Sequence, residues 1–232
     1  MKLVVSLVLA LCLAGCSPRA VSPDTEYASH GTLMLPAPQL SGDVSVEEAM
    51  SARRSVREYA TEPISLAEAS QLLWAAQGVT AQWGGRTAPS AGALYPLEVY
   101  LLSLAVDGLP PGVYRYIPYG HQLAPISAGD VPAELKRACP GQPWTSDAAV
   151  VLAITAVYER TTGKYGERGV RYVHLEAGHA AQNVCLQAVA LGLGVVTVGA
   201  FDDDAVAELL GCEEQETPIY LLPLGKLPAD SR

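Results

Sequence analysis

The chain has 232 residues, with 15 Lys and Arg against 24 Asp and Glu, a formal net charge of −9. That balance argues against a nucleic-acid partner, which needs a basic face, and the length suits one large domain or two small ones. No run of 18 or more apolar residues occurs, so no membrane-spanning helix is expected.

At the amino end, Lys2 precedes an apolar run over 3–14 and then Gly15-Cys16. A charged start, a short apolar core and small residues are the layout of an export signal. Leu13-Ala14-Gly15-Cys16 resembles the bacterial lipobox. That resemblance implies a signal over 1–15 and a lipid on Cys16. The expected location is the periplasmic or other extracytoplasmic face of a bacterial membrane, anchored by acyl chains without crossing it. Residues 16–44 read as the lipidated cysteine and a tether. They are rich in Ser, Pro, Thr and Ala, and Pro36 and Pro38 flank Ala37. The folded domain is expected over 45–232.

Ser45-Val46-Glu47-Glu48 is a capping-box pattern, Ser at the cap and Glu three later. It predicts a helix from Val46 to about Arg54. Ser65 to Glu68 repeats the signal and opens a second helix, with Leu66, Ala69, Leu72, Leu73 and Ala76 on one face and a stop at Gly78. Residues 80–97 read as a loop. Strands are expected at 98–104, 112–117 and 122–126, and Asp130-Val131-Pro132 starts a helix with Pro at an early position. The unbroken apolar run over 148–155 predicts a central strand. Residues 158–169 read as a polar connection, followed by a long helix over about 169–191. Strands are expected at 195–200 and 219–224, with a short helix between them ending at Gly211. Interspersed helices and strands without an internal repeat give an α+β class around one sheet.

Several chemical motifs fail on spacing. His174 and His179 flank Glu176 as in a zinc-protease helix, but five positions put them about 140° apart, so they cannot share a metal in the usual way. Glu176 and His179 can instead meet as a polar pair. Gly192-Leu193-Gly194 lies between a helix and a strand, the reverse of the order a dinucleotide turn needs. No Walker loop and no G-x-S-x-G elbow is present. After the signal and the lipid site, Cys139, Cys185 and Cys212 remain, with no C-x-x-C pair. One disulfide would suit an oxidising compartment; three buried thiols are the alternative.

Four pieces survive. Arg53-Arg54-Ser55-Val56-Arg57 packs three guanidinium groups and a hydroxyl into five positions of an acidic chain. Guanidinium forks match phosphate oxygens, while the bland alternative is a helix end complementing its own dipole. The loop 89–94 is built of small residues that let backbone approach a ligand. Val198-Gly199-Ala200-Phe201 ends a strand, and Gly225-Lys226 closes the last one. A ligand with a phosphate, a polar chain and a flat ring would use all four; flavin mononucleotide (FMN) is such a ligand.

Three segments, Arg53 to Tyr59, Arg86 to Glu98 and Glu176 to Asn183, resemble in that order the nitroreductase superfamily, and within it the SagB-type dehydrogenases, the azoline oxidases of peptide natural-product pathways. The likeness spans about 45–226. It implies a nitroreductase-like α+β fold, with a central, mostly antiparallel sheet flanked by helices, and a homodimer with two FMN molecules at its interface. It implies that Arg53, Ser55 and Arg57 hold the flavin phosphate, ribityl chain and ring edge, with Arg54 at the polar position between. Pro89, Ser90 and Ala91, with Gly92, would reach the flavin of the partner chain. Val198, Gly199 and Ala200 would line the ring by backbone contact, and Lys226 would assist at the phosphate. The long helix 169–191 would form the dimer. Lys164 and Tyr165 fall at the position of the branch's catalytic Lys-Tyr pair, where a lysine lowered in pKa by desolvation can take a proton from carbon; a surface Lys and Tyr is the alternative. The implied substrate is a peptide or small molecule. That branch carries an extra amino-terminal domain and acts on cytosolic peptides, whereas this chain has an export signal. A nicotinamide-dependent nitro or quinone reductase, and a flavin-binding lipoprotein without turnover, therefore stay open.

Overall fold

A computed structural model describes residues 31–229. Both capping boxes form. Ser45 opens α1 (Val46–Ala52) and Ser65 opens α2 (Leu66–Gln77), each Ser Oγ accepting from the Glu N–H three residues on while that Glu carboxylate accepts from the Ser N–H. Two orphan donors are satisfied at each helix start, which is why the boundaries were legible.

The strands are β1 (Leu33–Met34), β2 (Ile64–Ser65), β3 (Leu97–Ser103), β4 (Val106–Asp107), β5 (Gly112–Ile117), β6 (Gln122–Ser127), β7 (Val150–Val157), β8 (Leu193–Val195) and β9 (Glu216–Lys226). Seven of them form one sheet in the order β1-β6-β5-β3-β7-β9-β8, and every neighbouring pair is antiparallel. The remaining helices are α3 (Val131–Ala138), α4 (Glu159–Tyr165), α5 (Arg168–Ala190) and α6 (Asp203–Leu210).

Successive strand side chains point to opposite faces, and the core divides accordingly. Val99, Leu101, Leu152 and Ile154 face α2 and α5, whereas Tyr100, Leu102, Val151 and Ala153 face α3 and α6. Because both faces are covered, β3 and β7 carry nearly unbroken apolar runs. Truncating a fully buried Leu101 or Ile154 to Ala would cost about 2–5 kcal/mol. On α5 the buried stripe is small: Ala177, Ala180, Ala181, Cys185 and Ala188. Small residues bring α5 close to α2, and α5 becomes the post on which the candidate site is hung.

Three stretches depart from expectation. Residues 33–39, read as tether, join the fold: Leu33 and Met34 pair with β6, Ser70 Oγ donates to the Pro36 carbonyl at 2.7 Å, and the Gln39 N–H donates to Gln71 Oε1 at 2.8 Å. A two-residue strand is too short to leave a period. The polar connection over 158–169 contains α4 and the start of α5, since Gly163 and Gly166 masked two helical turns and their stop. The strand expected at 195–200 ends at Val195. Val198 then exchanges both backbone hydrogen bonds with Leu221, and Gly199 and Ala200 lie exposed beyond it. Cys16 and the export signal lie outside the described residues. Cys139, Cys185 and Cys212 are free thiols.

Candidate active site

The arginine segment is anchored by its backbone. Ser55 bridges Val195 in parallel, the Val56 N–H donates to the Val195 carbonyl at 2.9 Å, and the Ala60 N–H donates to the Lys226 carbonyl at 2.9 Å. The strand thus laid along β8 and β9 passes over two glycines that face each other in register, Gly194 and Gly225. A Cβ at Gly194 would lie 2.6 Å from Val56 Cγ1, and one at Gly225 would lie 2.9 Å from Tyr59 Cβ. These glycines therefore serve the approach of 55–60 to the sheet. The Tyr59 hydroxyl closes the turn, 2.9 Å from the Val56 carbonyl and 3.0 Å from that of Pro223.

With the backbone held this way, the side chains have different duties. Arg54 donates to the carbonyls of Ser51 and Arg53, both at 2.8 Å. It caps the end of α1, as the bland reading of the cluster held. Arg53 is half-buried beside α5; burial pushes the Cys185 thiol up and the Arg53 charge offsets part of that. Arg57 is exposed and stacks on the Trp144 ring, 5.4 Å from its centroid. The same turn ties in a second predicted piece, because Gln142 Nε2 donates to the Ala200 carbonyl. A cavity of about 680 Å³ runs along Ala52, Arg54, Val56, Arg57, Leu193 and Val195. Of the predicted side chains, Arg54 and Arg57 line this cavity; Ser55 is tied beside it through Val195, and Ala200 joins the Arg57 side through the turn that carries Gln142 and Trp144. Lys226 reaches this region only by backbone: its Nζ pairs with Glu68 Oε1 at 2.5 Å, so its charge is already engaged.

The loop 89–94 is held the opposite way, by side chains. Gly92, Ala93 and Tyr95 take φ of 65°, 54° and 46°. For the two non-glycines that left-handed backbone costs about 1–3 kcal/mol each, so the surroundings must impose it. Ser90 Oγ accepts the Tyr95 N–H at 2.9 Å. The Arg86 N–H donates to the Tyr95 hydroxyl at 3.2 Å, and its guanidinium lies 4.5 Å from the Tyr95 ring centroid. Arg160 Nη1 donates to the Tyr95 carbonyl at 3.1 Å, while Arg160 Nη2 pairs at 2.6 Å with the buried Glu98, which also holds Arg115 at 2.9 Å.

Lys164 and Tyr165, at the end of α4, close on this loop. A Cβ at Gly92 would fall 2.8 Å from the Tyr165 hydroxyl and 3.0 Å from Lys164 Nζ. Lys164 is exposed, with Nζ 5.4 Å from the Tyr165 ring centroid, and Tyr165 packs edge-on against Tyr172.

The Nitroreductase family model matches residues 50–226. The chain belongs to the nitroreductase family. It is 47% identical over 195 residues to MJ1384 of Methanocaldococcus jannaschii, which carries a nitroreductase name, covering 84% of this chain and 97% of that one. A structure named as a nitroreductase, from Ralstonia eutropha, superposes with a TM-score of 0.74 at 30% identity, over 90% of this chain and 93% of that one. The microcin B17-processing protein McbC of Escherichia coli is 28% identical over 135 residues, 56% of this chain; the aligned part spans 50% of McbC. The fold expected from the motifs is the fold of the family, and the chain is a nitroreductase-family oxidoreductase.

Two side chains of this nitroreductase-family chain stood outside the predicted site. Trp144, under Arg57, gave no signal in the sequence, since only the tertiary fold brings residues 57 and 144 together. Glu176 lies within a quoted motif, but its expected partner is wrong. His179 is exposed, whereas Glu176 is buried and faces Arg86, Ser90 and Gln77. The reason is helical: three positions along α5 carry His179 off the inward stripe. His174 points outward too, 2.7 Å from the Tyr158 hydroxyl.

Proposed function

We propose that this chain is an FMN-dependent dehydrogenase or oxidase of the SagB type. The observation that carries the reading is the seating of Lys164 and Tyr165 on Gly92, which brings an amine and a phenol to the small-residue loop. The arginine region fits the other end of FMN: cations, a hydroxyl and a cavity lie beside backbone that is already anchored. Arg53, Ser55 and Arg57 would hold the phosphate and ribityl chain, and Val198 to Ala200 would face the ring by backbone. A bound flavin supplies two-electron acceptance; the protein supplies position and electrostatics. Lys164 is exposed in the single chain, so the second copy and the substrate would have to desolvate it before its Nζ could take the substrate proton; Tyr165 would hold that amine in place. Along α5 the loop meets Glu176, while the arginine region meets Cys185 and Val189, about 14–20 Å further by helical rise. That separation supports a site completed by the loop of a second copy, hence a homodimer.

The similarity to McbC supports a peptide substrate. The 47% identity to MJ1384 favours a second reading, a nicotinamide-dependent nitro or quinone reductase. The purified chain should carry a flavin spectrum, and a colourless protein that FMN cannot reconstitute would overturn both readings. Rapid reduction by NADH or NADPH favours the reductase; inertness to both favours the SagB type. Arg57→Ala should weaken FMN binding by about tenfold or more, the loss of one charge-assisted contact. Lys164→Ala should keep flavin and lose turnover, and full activity in that variant would remove Lys164 from the mechanism. We further propose lipid attachment at Cys16, which fatty-acid labelling of the wild type and its absence in Cys16→Ser would establish.

A further inference from the structure

Glu176 is the one carboxyl that α5 turns toward the 89–94 loop, and it is 2% exposed. Its Oε1 has no hydrogen-bond partner, and neither does the buried Arg86 Nε. Around this carboxyl lie the Ser90 hydroxyl and the Arg86 guanidinium from the loop side and, from α2, Gln77, whose Oε1 accepts from Arg86 Nη1 at 3.2 Å and whose buried Nε2 has no hydrogen-bond partner. From α4, Lys164 and Tyr165 press on the outer side of the same loop at Gly92. On α5 itself, Tyr172 is turned to Tyr165 and His179 to solvent. Each loop group facing Glu176 also fastens Tyr95: Ser90 Oγ holds its N–H, and Arg86 holds its ring and hydroxyl. Glu176 therefore underlies two of the three fastenings of the strained turn; the third is Arg160 on the Tyr95 carbonyl.

We propose that Glu176 is a positioning residue that sets the shape of the 89–94 loop from beneath, through Ser90 and Arg86, and makes the loop's packed state depend on protonation of this one carboxyl. The loop's part in holding a flavin rests on the reading above; the coupling of Glu176 to the loop does not.

Burial raises the Glu176 carboxyl to about 7, with Ser90, Arg86 and Gln77 offsetting part of the effect. The packed loop thus binds a proton that a hydrated carboxyl releases. For a group raised by packing, the stabilisation is fully present below its ordinary value and is lost as pH rises to the raised one. Local opening that hydrates Glu176 should therefore become easier between about pH 4.5 and 7, by up to tenfold per unit, and level off above.

The test is amide exchange of the full chain, expressed as protection factors for residues 88–96, at pH 5, 6, 7 and 8. Wild type should lose at least tenfold protection between pH 5 and 7 and little beyond. Glu176→Gln keeps the shape and cannot ionise, so its protection should change less than twofold. Ser90→Ala, which leaves the carboxyl in place, should lower protection at every pH. A pH-flat wild type, or a Glu176→Gln chain that follows the wild-type profile, overturns the proposal. In a second arm, the ratio of wild-type to Glu176→Gln dissociation constants for FMN is measured by fluorescence quenching. Taking the ratio cancels the titration of the phosphate itself. It should rise at least threefold from pH 5.5 to 8, and an unchanged ratio rejects loop control of flavin binding. If neither chain binds FMN, the flavin reading falls while the exchange arm still decides the role of Glu176.

Discussion

Two stretches of α5 support two unlike constructions. Near Val189, the arginine segment is fastened by backbone, through its bridge to Val195 and its passage over Gly194 and Gly225. Arg54 and Arg57 are left at the surface, where Arg57 rests on Trp144. Near Glu176, the 89–94 loop is fastened by side chains, and its backbone is left strained and outward. The first arrangement presents charge on a firm base. The second presents backbone shape and uses charge, from Arg86, Arg160 and Glu98, to hold it. The proposed ligand, with an anionic tail and a flat head, would use both.

That contrast can be broken from either side. Glu98→Ala would leave Arg115 and Arg160 without the buried carboxylate that joins them. Breaking a buried pair by removing one partner costs about 3–5 kcal/mol, so urea unfolding should show a large loss, with release of Tyr95 as its local sign. A loss below about 1 kcal/mol would mean that the loop does not depend on its charges. On the other side, Gly194→Val forces a side chain into Val56 and should cost about 1–3 kcal/mol by overpacking. The displaced arginine segment should weaken FMN binding while the exchange protection of 88–96 stays as it was. A change in both regions would make them one cooperative unit. The smallest effect belongs to Arg54→Ala, which removes an exposed cap from α1 and should cost about 0.3–1 kcal/mol, read as a shift of a degree or a few in melting temperature. A larger shift would give Arg54 a packing duty beyond the cap.

How much was legible depended on the range of the interaction. Ser45 with Glu48 and Ser65 with Glu68 act across three residues, so both helix starts could be read directly. The apolar run at 148–155 was legible as a central strand because both of its faces are buried. The span of α5 was legible too, although what its small buried stripe packs against was not. Residues 33–39 were misread because their partners, Gln71 and His121, lie far along the chain. Glu176 was paired with His179 on spacing alone, and the turn of the helix sends the two apart.

The sequence by itself determined the α+β class and most element boundaries, since local hydrogen bonding and burial period write those directly into residue order; composition marked the arginine segment and the small-residue loop, and the family resemblance alone marked the Lys164-Tyr165 pair. Tertiary structure decided which of these pieces meet. It placed Trp144 under Arg57, engaged Lys226 with Glu68, set Lys164 and Tyr165 on Gly92, and buried Glu176 beneath the loop. Each of these is a contact between elements remote in sequence, fixed by how the sheet and its two helical layers pack, and no local pattern encodes it.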